Sequence, residues 1–187
     1  MGLSNDLTIA CTETSRASIK RIFLSPSCDI TSMTASGSDM SFTAITMDST
    51  ANVWYEYEAE FETKDLNIEG AAENGTATFT NTVNFKVLGL DKTKLQRLQD
   101  IVDSRKVTAI VETANSSGTY NKAFVVGWDS ILEKDAYATA NVNAVIEANL
   151  DGDNSATVTL TAKHAELIRE IVGTIETNAS GTVNFGS

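Results

Sequence analysis

The sequence predicts a mainly β protein, a β-sandwich or barrel with two long two-faced hairpins and one flanking α-helix at about residues 91–103. Three observations carry that expectation. Threonine occurs 24 times and proline once, at Pro26, in 187 residues. Threonine is β-branched and suits a pleated, half-wet strand surface. Several stretches alternate apolar and polar residues at a period of two, as a half-buried strand requires. One stretch, after Asp91, places Leu95, Leu98, Ile101 and Val102 at helical spacing. The length is that of a single domain, read as residues 1–187.

The elements follow in order. Residues 1–17 lack periodicity and are read as an N-terminal arm. Ile19 to Leu24 is a short strand ended by Ser25-Pro26. Residues 31–39 are rich in Ser, Thr and Gly and read as loop, and Met40 to Met47 as a strand. Val53, Tyr55, Tyr57, Ala59 and Phe61 then alternate with Asn52, Trp54, Glu56, Glu58, Glu60 and Glu62, predicting a long strand with one apolar and one acidic face. Residues 64–75 read as a long inter-strand loop. Ala77, Phe79, Val83, Phe85 and Val87 alternate with Thr76, Thr78, Thr80, Thr82, Asn84 and Lys86 in the partner strand. Asp91 is a plausible N-cap for the helix, whose apolar stripe covers the open side of a sheet.

Beyond the helix, Lys106 to Thr113 reads as a buried strand, Asn115 to Gly118 as a turn, and Thr119 to Trp128 as the return. A second long pair follows. Ala136, Ala138, Ala140, Val142, Ala144, Ile146, Ala148 and Leu150 share one face, and Thr139, Asn141 and Asn143 the other. Asp151-Gly152-Asp153-Asn154 makes the turn, and Ala156, Val158, Leu160 and Ala162 return against Thr157, Thr159, Thr161 and Lys163. Ala165 to Val172 reads as a short helix and residues 174–187 as a C-terminal arm, in which Thr182-Val183-Asn184-Phe185 is either a final strand or a segment that docks on a neighbour.

Charge and composition exclude several functions. Fourteen basic residues against 25 acidic ones give a formal charge of −11, the wrong sign for a free nucleic-acid binder. No apolar run approaches the roughly 18 residues of a membrane span. Met1 to Asp6 has neither the basic patch nor the apolar core of a secretory signal, and Asp6 stands where myristoylation wants Ser or Thr. Cys11, Cys28 and His164 are too few for a zinc site and read as two reduced thiols and a lone histidine. Glu56, Glu58, Glu60 and Glu62 lie in one row on one strand, in environments too similar to split into acid and base. Their single sign points instead to a surface selected to be negative. Asp151-Gly152-Asp153-Asn154 resembles part of a calcium loop, but Ala162 stands at its twelfth position. No phosphate-binding, dinucleotide or hydrolase motif is present. The expectation is a chain that is not an enzyme and takes no cofactor or metal.

The order of elements resembles that of a bacteriophage major tail tube protein. The resemblance rests on the strand Ile19 to Leu24, the strand Tyr55 to Phe61, Glu73-Asn74-Gly75-Thr76 opening a strand through Phe85, the helix around Leu95 to Ile101, Thr108 to Val111, Tyr120 to Trp128, and the hairpin at Asp151 to Asn154. It implies a subunit that forms stacked, six-membered rings, whose long hairpins join into a lumen-lining barrel through which DNA passes without specific binding. Glu56, Glu58, Glu60 and Glu62 would then line an acidic lumen. Thr76, Thr78, Thr80, Thr82, Thr139, Asn141, Asn143, Thr157, Thr159 and Thr161 would lie beside them. Asp65, Leu66, Asn67, Ile68, Glu69 and Glu73 would contact the next ring. The implied partners are further copies of the chain, a tape measure, a tail tip and a terminator. The implied location is the virion tail, with the host cytoplasm during assembly. Two alternatives are the inner-tube subunit of a contractile injection machine and a monomeric β-sandwich binding module.

Overall fold

A computed structural model describes residues 18–57, 59, 63–73, 76–117, 120–146, 154–179 and 181–186. Period-two alternation builds most of it. The described strands are β1 (Ile19–Pro26), β2 (Ile30–Ala35), β3 (Ser41–Met47), β4 (Tyr55–Tyr57), β5 (Asp65–Glu73), β6 (Thr76–Leu88), β7 (Val107–Ser117), β8 (Tyr120–Val126), β9 (Thr139–Ile146), β10 (Asn154–His164), β11 (Glu170–Ile171), β12 (Gly173–Thr177) and β13 (Gly181–Phe185). The helix α1 (Lys92–Asp103) lies between β6 and β7. A seven-stranded sheet runs β2-β3-β11-β8-β7-β1-β4, a four-stranded sheet β5-β6-β10-β9, and β12 pairs with β13. The architecture is an open sandwich and not a closed barrel, because the large sheets end at edge strands that do not join.

Two cores flank the seven-stranded sheet. One contains Ile22, Leu24, Ala109 and Val111 from that sheet with Val83, Phe85, Val158 and Leu160 from the four-stranded sheet. Leu98 and Ile101 of α1 join it. The other core takes the alternate residues Phe23, Ile110 and Val125 with Trp54, Trp128, Ile175, Val183 and Phe185. A sheet covered on both faces explains why Lys106 to Thr113 reads as a continuously buried strand.

The helix forms where its cap and stripe predict. The Asp91 carboxylate accepts from the N–H groups of Thr93 and Lys94, both at 2.8 Å. Leu98 and Ile101 are buried, whereas Leu95 and Val102 stay largely exposed. The helix stops at Ser104, whose hydroxyl donates to the Asp100 carbonyl, and Arg105 turns the chain with φ of 57°.

Several sequence expectations are corrected. Residues 65–73 are not a loop but β5, paired with β6 from Asp65↔Asn84 to Glu73↔Thr76. Asp65, Asn67 and Glu69 alternate with Leu66 and Ile68, but Gly70-Ala71-Ala72 weakens the strand signal. The residues between the paired ends are Asn74-Gly75, a dipeptide suited to a two-residue hairpin. The partner of β6 is therefore not 53–61. Tyr55–Tyr57 pairs instead with β1, at the edge of the other sheet. Trp54, expected among the acidic residues on a wet face, is buried in the second core.

Residues 31–35, read as loop, belong to β2, where bulges against β3 bring Ile30 and Met33 inward and hide the period of two. Residues 115–117 continue β7 instead of turning. Ala165 to Val172 is not helical. Ile168 enters the first core and Ile171 the second, so their helical spacing records a chain crossing between cores. Of the two readings of Thr182 to Phe185, the structure has the final strand: β13 pairs with β12 in a hairpin that buries Ile175, Val183 and Phe185 on the same chain. The Trp54 amide donates to the Glu176 carbonyl at 2.9 Å and so ties this hairpin down. Residues 1–17, read as the N-terminal arm, and 147–153 lie outside the described residues.

Candidate functional site

The strand β6 of the first expected pair and the strand β10 of the second meet in one sheet, pairing from Phe79↔His164 to Leu88↔Ser155. Alternation then sorts the side chains. Val83, Phe85, Val158, Leu160 and Ala162 are buried inward. Thr76, Thr78, Thr80 and Thr82 of β6 stand on the outer face with Thr157, Thr159 and Thr161 of β10 and Thr139, Asn141 and Asn143 of β9. Register sets them in rows. Asn67, Thr82, Thr161 and Thr139 form one, and Asp65, Asn84, Thr159 and Asn141 the next.

Hydrogen bonds run along these rows. The Asn84 amide donates to Asp65 Oδ1 at 2.8 Å, and its Oδ1 accepts from the Thr159 hydroxyl at 2.8 Å. The Thr139 hydroxyl donates to the Thr161 carbonyl at 3.3 Å, and between neighbouring rows the Asn67 amide donates to Glu69 Oε1 at 2.8 Å. By register, Asp65, Glu69 and Glu73 of β5 share this face with Lys86 and Lys163. The result is a wall of hydroxyls and amides that donate and accept, hold water and carry little net charge. At its sides, β5 and β9 are edge strands, each with one row of backbone groups unpaired within the sheet.

All the Thr and Asn lumen candidates thus fall on one face. Asp65, Asn67 and Glu69, expected at an inter-ring loop, join them there. Leu66 and Ile68 face the other way, and Glu73 ends β5. Glu56 is not beside the threonines. It lies on β4 opposite Phe23, and its Oε2 is 3.9 Å from the Arg21 guanidinium. Glu58, Glu60 and Glu62 lie outside the described residues.

Two polar clusters escaped the sequence reading. Glu112 is buried on β7, where it accepts from Arg21 Nε and, at 2.6 Å, from the Asn121 amide. Burial pushes its carboxyl up, but these hydrogen bonds outweigh that and hold it below the usual carboxylate range. The second cluster braces the β8–β9 connection. Buried Asp129 accepts from the N–H groups of Ile131 and Leu132 through Oδ1, and from Ala165 N–H at 2.8 Å through Oδ2. Glu166 accepts from Ser130 N–H at 2.7 Å and from Arg169 at 2.7 and 2.8 Å. Burial raises the Glu166 carboxyl, yet the Arg169 and Ser130 hydrogen bonds bring it down to about 2. Both clusters join residues distant in sequence, so no local motif announces them.

Among the described residues, no group of three or more His, Cys, Asp and Glu could hold a metal ion, and no helix is long and apolar enough to cross a membrane. Comparison with protein-family models, curated proteins and solved structures finds no match.

Proposed function

We propose that the chain is a structural subunit of a phage tail tube, assembling into stacked, six-membered rings around a conduit for DNA. The observation that supports this reading best is the four-stranded sheet with a hydroxyl and amide face and an edge strand on each side. Pairing β9 of one copy with β5 of the next extends the sheet, and repetition around an axis closes it. The outer face then becomes the lumen wall. Thr and Asn side chains offer water contacts but no basic groove to exchange counterions with phosphate, so DNA slides without being held. Glu56 stands beside Arg21, and Glu58, Glu60 and Glu62 lie outside the described residues, so the passivity of the wall is assigned to the Thr and Asn array. In this reading the tube works in the virion tail with a tape measure, a tail tip and a terminator.

Negative-stain electron microscopy at rising protein concentration tests it. Hollow tubes or stacked rings of constant width are expected. Subunits that stay single even beside a tail-tip initiator would sink the proposal.

A further inference from the structure

The edge strand β9 is unguarded. Thr139–Ile146 holds no charged residue and no proline, and its register against β10 has no bulge. Natural edges use those devices to refuse a neighbour. Ala138 exchanges backbone hydrogen bonds with Val107 at 2.8 and 3.0 Å, on the side away from β10. The residues of the same parity, Ala140, Val142, Ala144 and Ile146, therefore turn their N–H and C=O groups towards the open edge. The strand β5 ends against β6 at Glu73↔Thr76 with two residues between, which makes that pair a hydrogen-bonded one. Leu66, Ile68, Gly70 and Ala72 then turn their backbone groups to the open edge of β5. On both edges these same residues aim their side chains at the core, Ala144 beside buried Ala156 and Leu66 beside buried Val83. Hydrogen bonding and burial thus demand the same alignment of the two edges.

The apolar flank agrees. Ile146 is 70% exposed on the core side of β9, and Leu95 is 44% and Val102 41% exposed on α1. The helix packs against β9, while its Lys94, Arg97, Ile101 and Ser104 line a groove with Val87 of β6. Helical spacing turns Leu95 and Val102 to the opposite side, towards β9. We infer that this seat, β9 with the Leu95–Val102 side of α1, takes the β5 edge of a second copy, antiparallel, with Glu73 opposite Thr139. Copies related by rotation about a tube axis keep one strand direction, and β5 and β9 of one sheet run in opposite directions, so the joint is antiparallel. Its stagger follows from the ends. Val107 closes the free edge of β9 at Ala138, and β5 stops at Glu73, so this alignment engages all 8 residues of β9. Ile146 then meets Leu66, small Ala144 leaves room for exposed Ile68, and Asn143 faces Glu69. The Glu69 carboxylate accepts from Asn67 through Oε1 and has further acceptor sites for the Asn143 amide, just as Asp65 accepts the Asn84 amide within the sheet. A second β9 offers no carboxylate there, and two β5 edges set acid against acid. Within one sheet Thr139 shares its row with Asn67, six residues before Glu73. Those residues make about 20 Å of stagger across about 19 Å of sheet, a tilt of about 45°, at the upper end of the range for closed barrels. The inference deepens the tube reading by fixing the joint between copies, and it rests on self-association.

The test uses the full chain with Cys11→Ser and Cys28→Ser. An antiparallel pair that is not hydrogen-bonded brings its Cα atoms to about 4.5 Å, close enough for a disulfide. Asn143 and Glu69 form such a pair across the joint. On mild oxidation, N143C mixed with E69C is expected to give cross-linked dimers. N143C mixed with N67C or with A71C, and N143C by itself, are expected to stay uncross-linked. L95D, a change at an exposed position, is expected to leave the melting temperature unchanged and to weaken association about tenfold or more by sedimentation velocity. Rings or tubes that cross-link through N67C, through A71C, through N143C alone or not at all overturn this joint and leave the tube reading standing, as does undiminished association of L95D. Pairs cross-linked between N143C and E69C that never form rings or tubes support the joint and defeat the tube reading. A chain that stays monomeric at every concentration overturns both.

Discussion

The His164 side chain is buried at the end of β10, and its Nε2 accepts from the Gly127 N–H at 3.0 Å. The ring proton of the neutral form therefore sits on Nδ1. Burial lowers the His164 pKa from 6.5, against the opposing pull of Asp129 and Glu166. The unfolded chain thus binds the proton first as pH falls. Stability is full above the unfolded value and declines as pH drops below about 6.5. The melting temperature is expected to fall between about pH 6.5 and 5, and H164Q to flatten that part of the profile. Gly127 has φ of 90°, and a Cβ there would lie 2.6 Å from the Val107 carbonyl oxygen. G127A is expected to cost at least about 2 kcal/mol in urea denaturation. Neither role was legible in the sequence, where His164 and Gly127 stand far apart. Glu56 shows the same limit, since alternation assigns it a face but not a sheet, and not Arg21 as its neighbour.

Elements were legible in proportion to how local their causes are. The helix is written in Asp91 and the Leu98–Ile101 spacing, and both do what they predict. The faces of β6, β9 and β10 follow from strict alternation. The strand β5 was missed because a chain of Gly and Ala near a turn carries little propensity, and only pairing with β6 fixes it. The edge role of β5 makes its own prediction. Ile68 is 40% exposed on the inner side of that edge strand. A lysine there opposes strand addition, the means by which natural edges avoid pairing. I68K is expected to keep its circular dichroism spectrum and to yield no rings in negative stain. Rings of normal width from I68K would rule out β5 as the joining edge.

The whole molecule carries a charge of −11, so copies repel one another as they approach. Salt screens that repulsion, with a Debye length near 10 Å at about 0.1 M. Assembly is therefore expected at lower protein concentration in about 0.5 M salt than in about 0.02 M, read by light scattering. The sandwich class was visible in the alternation, but the second core was not, because its cover arrives from β12 and β13 at the far end of the chain. The same separation governs the central ladder. The β5–β6 and β9–β10 hairpins each join neighbours in sequence, whereas β6 and β10 meet across the helix and the intervening strands β7, β8 and β9, as Phe79 does with His164. Long-range pairing comes late and slowly in folding. The polar wall and the two edges that flank it thus come into being in one zipping event. A chain caught before that event has neither a finished polar face nor both of the sheet's edges in place.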